Sequence, residues 1–479
     1  MKIQIKNLSY QKAVCDILLL GVFEDKKNPL EKLLSRKDEF EAKKGDVLVV
    51  STQGKLPASK ISFLGLGKSK DVTCETVRNA AAKGIKQAIS SKAKNVAVSI
   101  ESESINDVDL AQAISEGLIL GGYKFAGYHK EKKSDFIATN SATILAENKS
   151  QVKEFQRGLK IGEIVAECEN LARDLVNAPS NKITPEYCAN YAKKMATEVG
   201  LKCTILDPQK EGMECLWAVA KGSRNLPKVV VLKYLPSSKK DFTAIIGKGV
   251  TFDSGGISIK PSSKMWEMKT DMAGAAAVIE AMRAISKLKI NQNIIAIIPL
   301  VENMPDGGAS RPGDVVGSLD GTTVEIISTD AEGRMILADA ITYAKNLGAK
   351  KIFDCATLTG GCITALGDVA SGLVGNDQNL IDEFKESAEK TGQKVWQMPL
   401  FPEYKEYLKS NVADLKNCMD KGMASVSVGA TFLHRFVGDI PWIHLDIAGT
   451  AYLSKSYEPY SDGATGTPLR TIVEWLRTI

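Results

Sequence analysis

The chain has 479 residues, room for two large domains or about three at ~150 residues each. Its 44% hydrophobic and 25% charged residues suit a globular enzyme and exclude a disordered, fibrous or coiled-coil chain. The net charge of +5 is uneven, with 27 Lys and Arg against 19 Asp and Glu in residues 1–160 and a slightly acidic remainder. A basic first part admits a nucleic-acid partner, but its lysines are dispersed and lack aromatic interleaving, so a solvated surface is the plainer reading. No apolar run reaches the roughly 18 residues of a membrane span, and the N-terminus has no h-region. A cytoplasmic protein with no membrane partner is expected.

From the N-terminus, short apolar runs at Asp16–Phe23, Val47–Val50, Ile61–Leu66 and Asn95–Ile100 read as strands. Helical patterns lie at Cys74–Ile89 and Leu110–Gly117, so a small α/β domain is expected over residues 1–150. Gly65-Leu66-Gly67-Lys68-Ser69 looks like the end of a phosphate-binding loop. The first glycine of that motif is replaced by Ser62, which leaves a strand-exit turn. Val152, Phe155, Leu159, Ile164, Cys168, Leu171 and Leu175 then recur at helical spacing and predict a linking helix over residues 151–175. It stops before Pro179, which keeps Ala178 out of the helical region, and Thr184-Pro185 opens the next helix.

Residues 176–479 form the larger unit. Strand-like runs at Val229–Leu232, Thr243–Ile246, Ile294–Leu300, Val324–Ser328 and Lys351–Cys355 alternate with helices such as Ala273–Leu288 and Ile336–Leu347. That alternation predicts a mixed, largely parallel sheet covered by helices. In such a sheet, chemistry gathers in the loops after the strands. Two loops stand out: Gly247 to Lys260, leading to Asp271, and Ser328 to Arg334.

Nine scattered cysteines without a CxxC pair argue against a disulfide framework or a cysteine zinc site. The three histidines, His129, His434 and His444, are too few and too separated for histidine-held zinc. Any metal must therefore rest on carboxylates. Asp253, Asp271, Asp330 and Glu332 would bring four negative charges into one cleft, which two divalent cations would balance. Taken singly, Asp271 reads more plainly as a helix N-cap, and Asp330 and Glu332 as acids at a helix start, but Gly255-Gly256 beside Asp253 favours close backbone approach to a ligand. No serine has glycine at both −2 and +2, so a nucleophile elbow is absent. A two-metal phosphoesterase is the alternative chemistry, but it needs further phosphate-gripping basic groups.

The segments Gly247–Lys260 and Ser328–Arg334 closely resemble the two signatures of the leucyl aminopeptidase family, the two-metal cytosolic aminopeptidases. The resemblance extends through Asn177-Ala178-Pro179, Arg311 to Val315, Ala356 to Gly360 and His444 to Gly449. Residues 1–150 resemble the family's macrodomain-like N-terminal module only in length and α/β pattern. The resemblance implies release of N-terminal amino acids, Leu preferred, from peptides with a free N-terminus. It implies two divalent ions per subunit (Zn²⁺ or Mn²⁺, with Mg²⁺ an option at the exchangeable site) held by Lys248, Asp253, Asp271, Asp330 and Glu332. Lys260 and an Arg334-bound bicarbonate would assist a two-metal-activated hydroxide. Met268, Thr357, Leu358 and Gly360 would line the substrate pocket, and six copies would form a hexamer. Ser328 and Met335 depart from the usual Asn and Leu of the family, and neither is a ligand.

Overall fold

The computed structural model describes residues 1–34, 39–128, 139–419 and 422–478; His129 lies outside them. The chain divides into two compact units. The first comprises Met1–Asn170, Lys390–Gly392 and Lys455–Asp462, and the second holds the rest.

In the first unit, strands β1 (Lys2–Asn7), β2 (Ile17–Val22), β3 (Val47–Ser51), β4 (Lys60–Gly65), β5 (Asn95–Ser99) and β6 (Ser141–Ala146) form one sheet, ordered β1-β6-β5-β2-β4-β3. Only β3 runs antiparallel to its neighbour. Helices α1 (Cys74–Ser90) and α2 (Asp107–Gly121) pack together through alanine and glycine. A side chain at Gly117 would meet the Arg78 carbonyl at 2.2 Å, so the two helices approach at backbone distance. The buried Arg78 guanidinium is neutralised by Glu116 and Glu75, both at 2.7 Å. Helix α3 (Lys149–Asn177) is longer than its apolar periodicity suggests and continues past the division at Asn170. It is followed by α4 (Pro185–Val199), whose Thr184 cap accepts from the Tyr187 amide.

The second unit contains β7 (Lys202–Leu206), α5 (Glu214–Ala220), β8 (Lys228–Tyr234), β9 (Thr243–Gly247), β10 (Gly249–Asp253), α6 (Ala273–Leu288) and β11 (Ile294–Asn303). It continues with β12 (Val315–Gly317), β13 (Thr323–Glu325), α7 (Gly333–Asn346), β14 (Lys351–Ala356), α8 (Gly360–Leu366), β15 (Ser371–Gly375), α9 (Gln378–Thr391), β16 (Val395–Gln397), β17 (Leu415–Lys416), α10 (Ser425–Val437), β18 (Trp442–Asp446) and α11 (Leu469–Thr478). A nine-stranded mixed sheet runs β16-β15-β18-β14-β9-β11-β8-β7, with β10 also paired to β11. Its central strands β9, β10, β11, β14 and β18 are all parallel. Their carboxyl ends, Gly247, Asp253, Asn303, Ala356 and Asp446, therefore share one edge.

Two expectations need correction. The run Val324–Ser328 is a strand only over Thr323–Glu325, and it belongs to a separate sheet, β12-β13-β17. Ile326 is buried in the core although it lies outside any strand, so hydrophobicity alone overextended the element. Conversely, the glycine-rich segment after β9 is not all loop: Gly249–Asp253 is the strand β10. A Cβ at Gly249 would stand 2.6 Å from the Pro299 carbonyl, so the glycine there serves close strand approach.

Helix α6 lies hard against the sheet because it begins Ala-Gly-Ala-Ala-Ala, and its first thirteen residues are buried. A Cβ on Gly274 would sit 2.3 Å from the Cys355 carbonyl and 3.0 Å from the Lys248 amide. The sequence of small residues thus sets how near the helix start comes to the strand ends. Gly274→Ala should cost about 1–3 kcal/mol through forced backbone displacement. A thermal midpoint equal to that of the wild type in differential scanning calorimetry would refute the close-packing account.

Candidate active site

Six charged side chains converge at the shared strand edge. Lys248 follows β9 directly and is 2% exposed. Its Nζ lies 2.8 Å from Asp271 Oδ1, 2.8 Å from Glu332 Oε1 and 2.7 Å from the Thr357 carbonyl. Gly333 makes this possible, since a Cβ there would stand 2.6 Å from Lys248 Cε. Asp253 closes β10; its Oδ1 accepts from the Gly255 amide at 2.9 Å and from Asn303 Nδ2 at 2.8 Å. Its Oδ2 pairs with Lys260 Nζ at 2.7 Å, and the same ammonium reaches Asp330 Oδ1 at 2.5 Å. Gly255, at φ +88°, adopts the left-handed turn that brings the chain from Asp253 back to Lys260.

Asp271 precedes α6 without capping it; the N-cap is Met272, whose side chain makes no capping bond. Asp271 Oδ1 accepts instead from Lys248 and, at 2.7 Å, from Thr357 Oγ1. Its Oδ2 is buried with no partner. A buried carboxylate oxygen without a donor costs free energy unless a cation supplies the missing interaction. Oxygens of Asp253, Asp330 and Glu332 lie within 4.8 Å of one another, a spacing that suits shared metal ligation. Four carboxylates face two lysines, so the cluster keeps two negative charges that cations would neutralise. The donor set of oxygens and one amine fits hard or borderline divalent ions.

The electrostatics follow the same imbalance. Burial pushes the carboxyls of Asp253 and Asp271 upward, aided by repulsion from Glu332 and outweighing the neighbouring lysines. Asp330 is raised to about 6 by burial and by the Asp253 and Glu332 charges. For Glu332 burial acts in the same sense, but Lys248 and Lys260 outweigh it and hold the group below its usual range. Burial also opposes charging of Lys248 and Lys260, yet the carboxylates around them hold both ammoniums above the ordinary range.

Arg334 opens α7 and is 5% exposed. Its Nη1 donates to the Asn417 carbonyl at 2.9 Å, while its Nε is buried without a partner. A guanidinium held by one edge with donors left over suits a small oxyanion. Thr357 and Leu358 are half-buried after β14, and Gly360 is exposed at the start of α8. Met268 is half-buried on the short helix Met265–Thr270 just before Asp271. The structure brings the five ligand candidates and Lys260 into one cluster and sets Thr357 in direct contact with it.

Supporting residues were not legible in advance. Asn303 bonds Asp253 and the Thr329 carbonyl, and Thr329 Oγ1 donates to the Gly255 carbonyl at 2.6 Å. These bonds tie the two glycine- and acid-rich loops to each other. Asp446, at the end of β18, accepts from Thr359 Oγ1 at 2.7 Å and the Leu358 amide at 3.1 Å. A buried Asn or Asp at a strand end carries no spacing signal until its neighbours are known. His444 is buried beside Asp354, with Nδ1 at 2.5 Å from its Oδ1.

Residues 170–473 match the catalytic domain of the cytosol aminopeptidase family, and residues 22–132 match that family's N-terminal domain. A probable cytosol aminopeptidase of Alkaliphilus oremlandii is 41% identical over the whole of both chains. One of Geobacter sulfurreducens is 40% identical, covering 100% of this chain and 99% of that one. Among solved structures, a tomato leucine aminopeptidase variant superposes with a TM-score of 0.89 at 32% identity, over 100% of this chain and 96% of that one. The bottromycin maturation enzyme BotP in complex with Mn gives 0.88 at 33% identity, over 97% and 99%. The chain belongs to the cytosol, or leucyl, aminopeptidase family. It is a metal-dependent aminopeptidase, a hydrolase of peptide bonds.

The raised Asp330 carboxyl gives a pH signature in metal-free protein. A folded value of about 6 against an ordinary 3.8 means that the folded state favours the protonated form. That contribution to stability is complete below about 4 and is lost as pH rises through about 6. Asp330→Asn should therefore gain thermal stability relative to wild type as pH goes from about 4 to about 6 in chelator. A difference in midpoint that stays constant across that window would contradict the assignment.

Proposed function

We propose that the cluster binds two divalent ions, Zn²⁺ or Mn²⁺, and releases N-terminal amino acids, Leu foremost, from peptides with a free α-amine. The observation carrying this reading is the convergence of Asp253, Asp330 and Glu332 oxygens within 4.8 Å. Lys248, Asp253, Asp271, Asp330 and Glu332 would hold the ions. When bound, the ions activate water and polarise the scissile carbonyl.

The chain's own groups do the rest. Lys248 must give up its proton to act as a ligand, because only the neutral amine has a lone pair. Lys260, whose side chain is one-fifth exposed, keeps its charge and donates toward the oxyanion that develops on the carbonyl oxygen. Arg334 would hold bicarbonate as the general base. Met268, Thr357, Leu358 and Gly360 would line the pocket for the first side chain, where a flexible thioether tolerates more than one apolar residue.

The same reading places the enzyme in the cytoplasm as a homo-hexamer; among the described residues no helix is long and apolar enough to cross a membrane. Light scattering should return six times the mass of the 51.7 kDa chain, and a monomer would overturn the assembly. The activity is tested with leucine p-nitroanilide beside its N-acetylated form. Cleavage of the free-amine substrate alone, abolished by chelation and restored by Mn²⁺ or Zn²⁺, is expected. Equal turnover of the blocked substrate, or indifference to chelator, would sink the proposal.

A further inference from the structure

Asn417 is far in sequence from both acid-bearing loops and outside every motif that points to the activity. It follows β17, which pairs in parallel with β13 through Val324↔Leu415 and Glu325↔Lys416. The two strands therefore end side by side, and the chain leaving β13 is the one that carries Asp330, Glu332 and Arg334. Asn417 is 1% exposed, and each of its polar groups is used. Its amide donates to the Glu325 carbonyl at 2.9 Å, continuing the strand pairing by one residue. Oδ1 accepts from the Ile327 amide at 2.8 Å and, more weakly, from Ser328 at 3.4 Å. Nδ2 donates to the Ser328 carbonyl at 2.7 Å and lies 3.5 Å from that of Ala331. Its carbonyl accepts from Arg334 Nη1 at 2.9 Å.

One side chain thus bonds the backbone on both sides of Asp330, and the same residue's carbonyl aims the Arg334 guanidinium. A turn satisfied only by its own residues could shift its carboxylate and still keep its hydrogen bonds. This turn cannot, because its amide and carbonyl groups are matched to a buried amide held on the neighbouring strand of the sheet that the turn leaves. We infer that Asn417 is a positioning residue for the metal site: it fixes the loop that presents Asp330 and Glu332 and couples that loop to the orientation of Arg334. Asn417 touches neither the reacting atoms nor the carboxylates themselves. Its oxygen and nitrogen are both needed, so aspartate, which cannot donate to Ser328, is not an adequate replacement.

The inference rests on the two-ion reading above, and its test separates the two. Mn²⁺ is titrated into chelator-treated wild type, Asn417→Ala and Asn417→Asp, with calorimetry reporting affinity and stoichiometry without turnover. Leucine p-nitroanilide kinetics and metal-free thermal midpoints are measured in parallel. Loss of a partner that orients metal ligands weakens metal affinity or activity by about 10–100-fold. That loss is expected for Asn417→Ala at the weaker Mn²⁺ site, together with a fall in kcat and little change in KM. Asn417→Asp, which keeps the acceptor for Ile327, should retain folding and still lose Mn²⁺ affinity; it carries the test if the alanine variant does not fold. Wild-type Mn²⁺ affinity in both variants, or in the aspartate variant where only that one folds, would overturn the positioning role even if the midpoint drops. Wild type that binds no Mn²⁺ at all would instead overturn the two-ion reading, and this inference with it.

Discussion

An uncompensated negative charge at the carboxyl edge of a parallel sheet is the constraint on which this molecule turns. Four carboxylates are drawn into contact, and two buried or half-buried lysines neutralise only half of them. Such an arrangement is costly in a low-dielectric setting, and a fold selected for stability alone would exchange it for apolar packing. Its presence agrees with the metal dependence of the family. The unpartnered Asp271 oxygen and the upward-shifted carboxyls of Asp253 and Asp330 are local expressions of the same imbalance.

Holding those charges together requires close backbone approach rather than large side chains. Gly274 lets α6 touch the end of β14, Gly333 leaves space for Lys248, and Gly255 turns the chain between Asp253 and Lys260. Around them lies a ring of neutral hydrogen bonds from Asn303, Thr329, Thr357 and Asn417. These groups add no charge, so they position the carboxylates without altering the electrostatic balance. The hydrophobic core beneath, built from residues such as Ile246, Ile297 and Ile336, supplies the rigidity against which this alignment is held.

The N-terminal unit is built on a different logic. Its central sheet is also mostly parallel, but its buried charges pair locally, as Arg78 does with Glu75 and Glu116. Its fold class was legible from alternating apolar runs and helical stretches. The edge strand Lys2–Asn7 was not, although Lys-Ile-Gln-Ile-Lys alternates apolar and polar residues, because only two apolar side chains carry that pattern. Ser141–Ala146 was also missed, as six small and apolar residues fit helix and strand equally well.

The catalytic unit was more legible, for reasons that differ from element to element. Ala273–Leu288 and Lys351 onward carry strong periodicity and clear stops, so their bounds follow from local chemistry. Gly249–Asp253 reads as loop because glycine hides a strand whose pairing is decided by β11. Asp253, Asp271, Asp330 and Glu332 could be singled out from charge, glycine context and family resemblance, since these are properties of short segments. That Lys248 bonds Asp271 and Glu332 at once, that Thr357 joins them, and that Asn417 clasps the Asp330 loop could not. Those facts depend on strand and helix packing that brings residues from 23 to 109 positions apart to one edge. Local sequence determined which groups were available for metal chemistry; long-range strand pairing, with the close helix packing it permits, decided which of the distant ones meet and what holds them there.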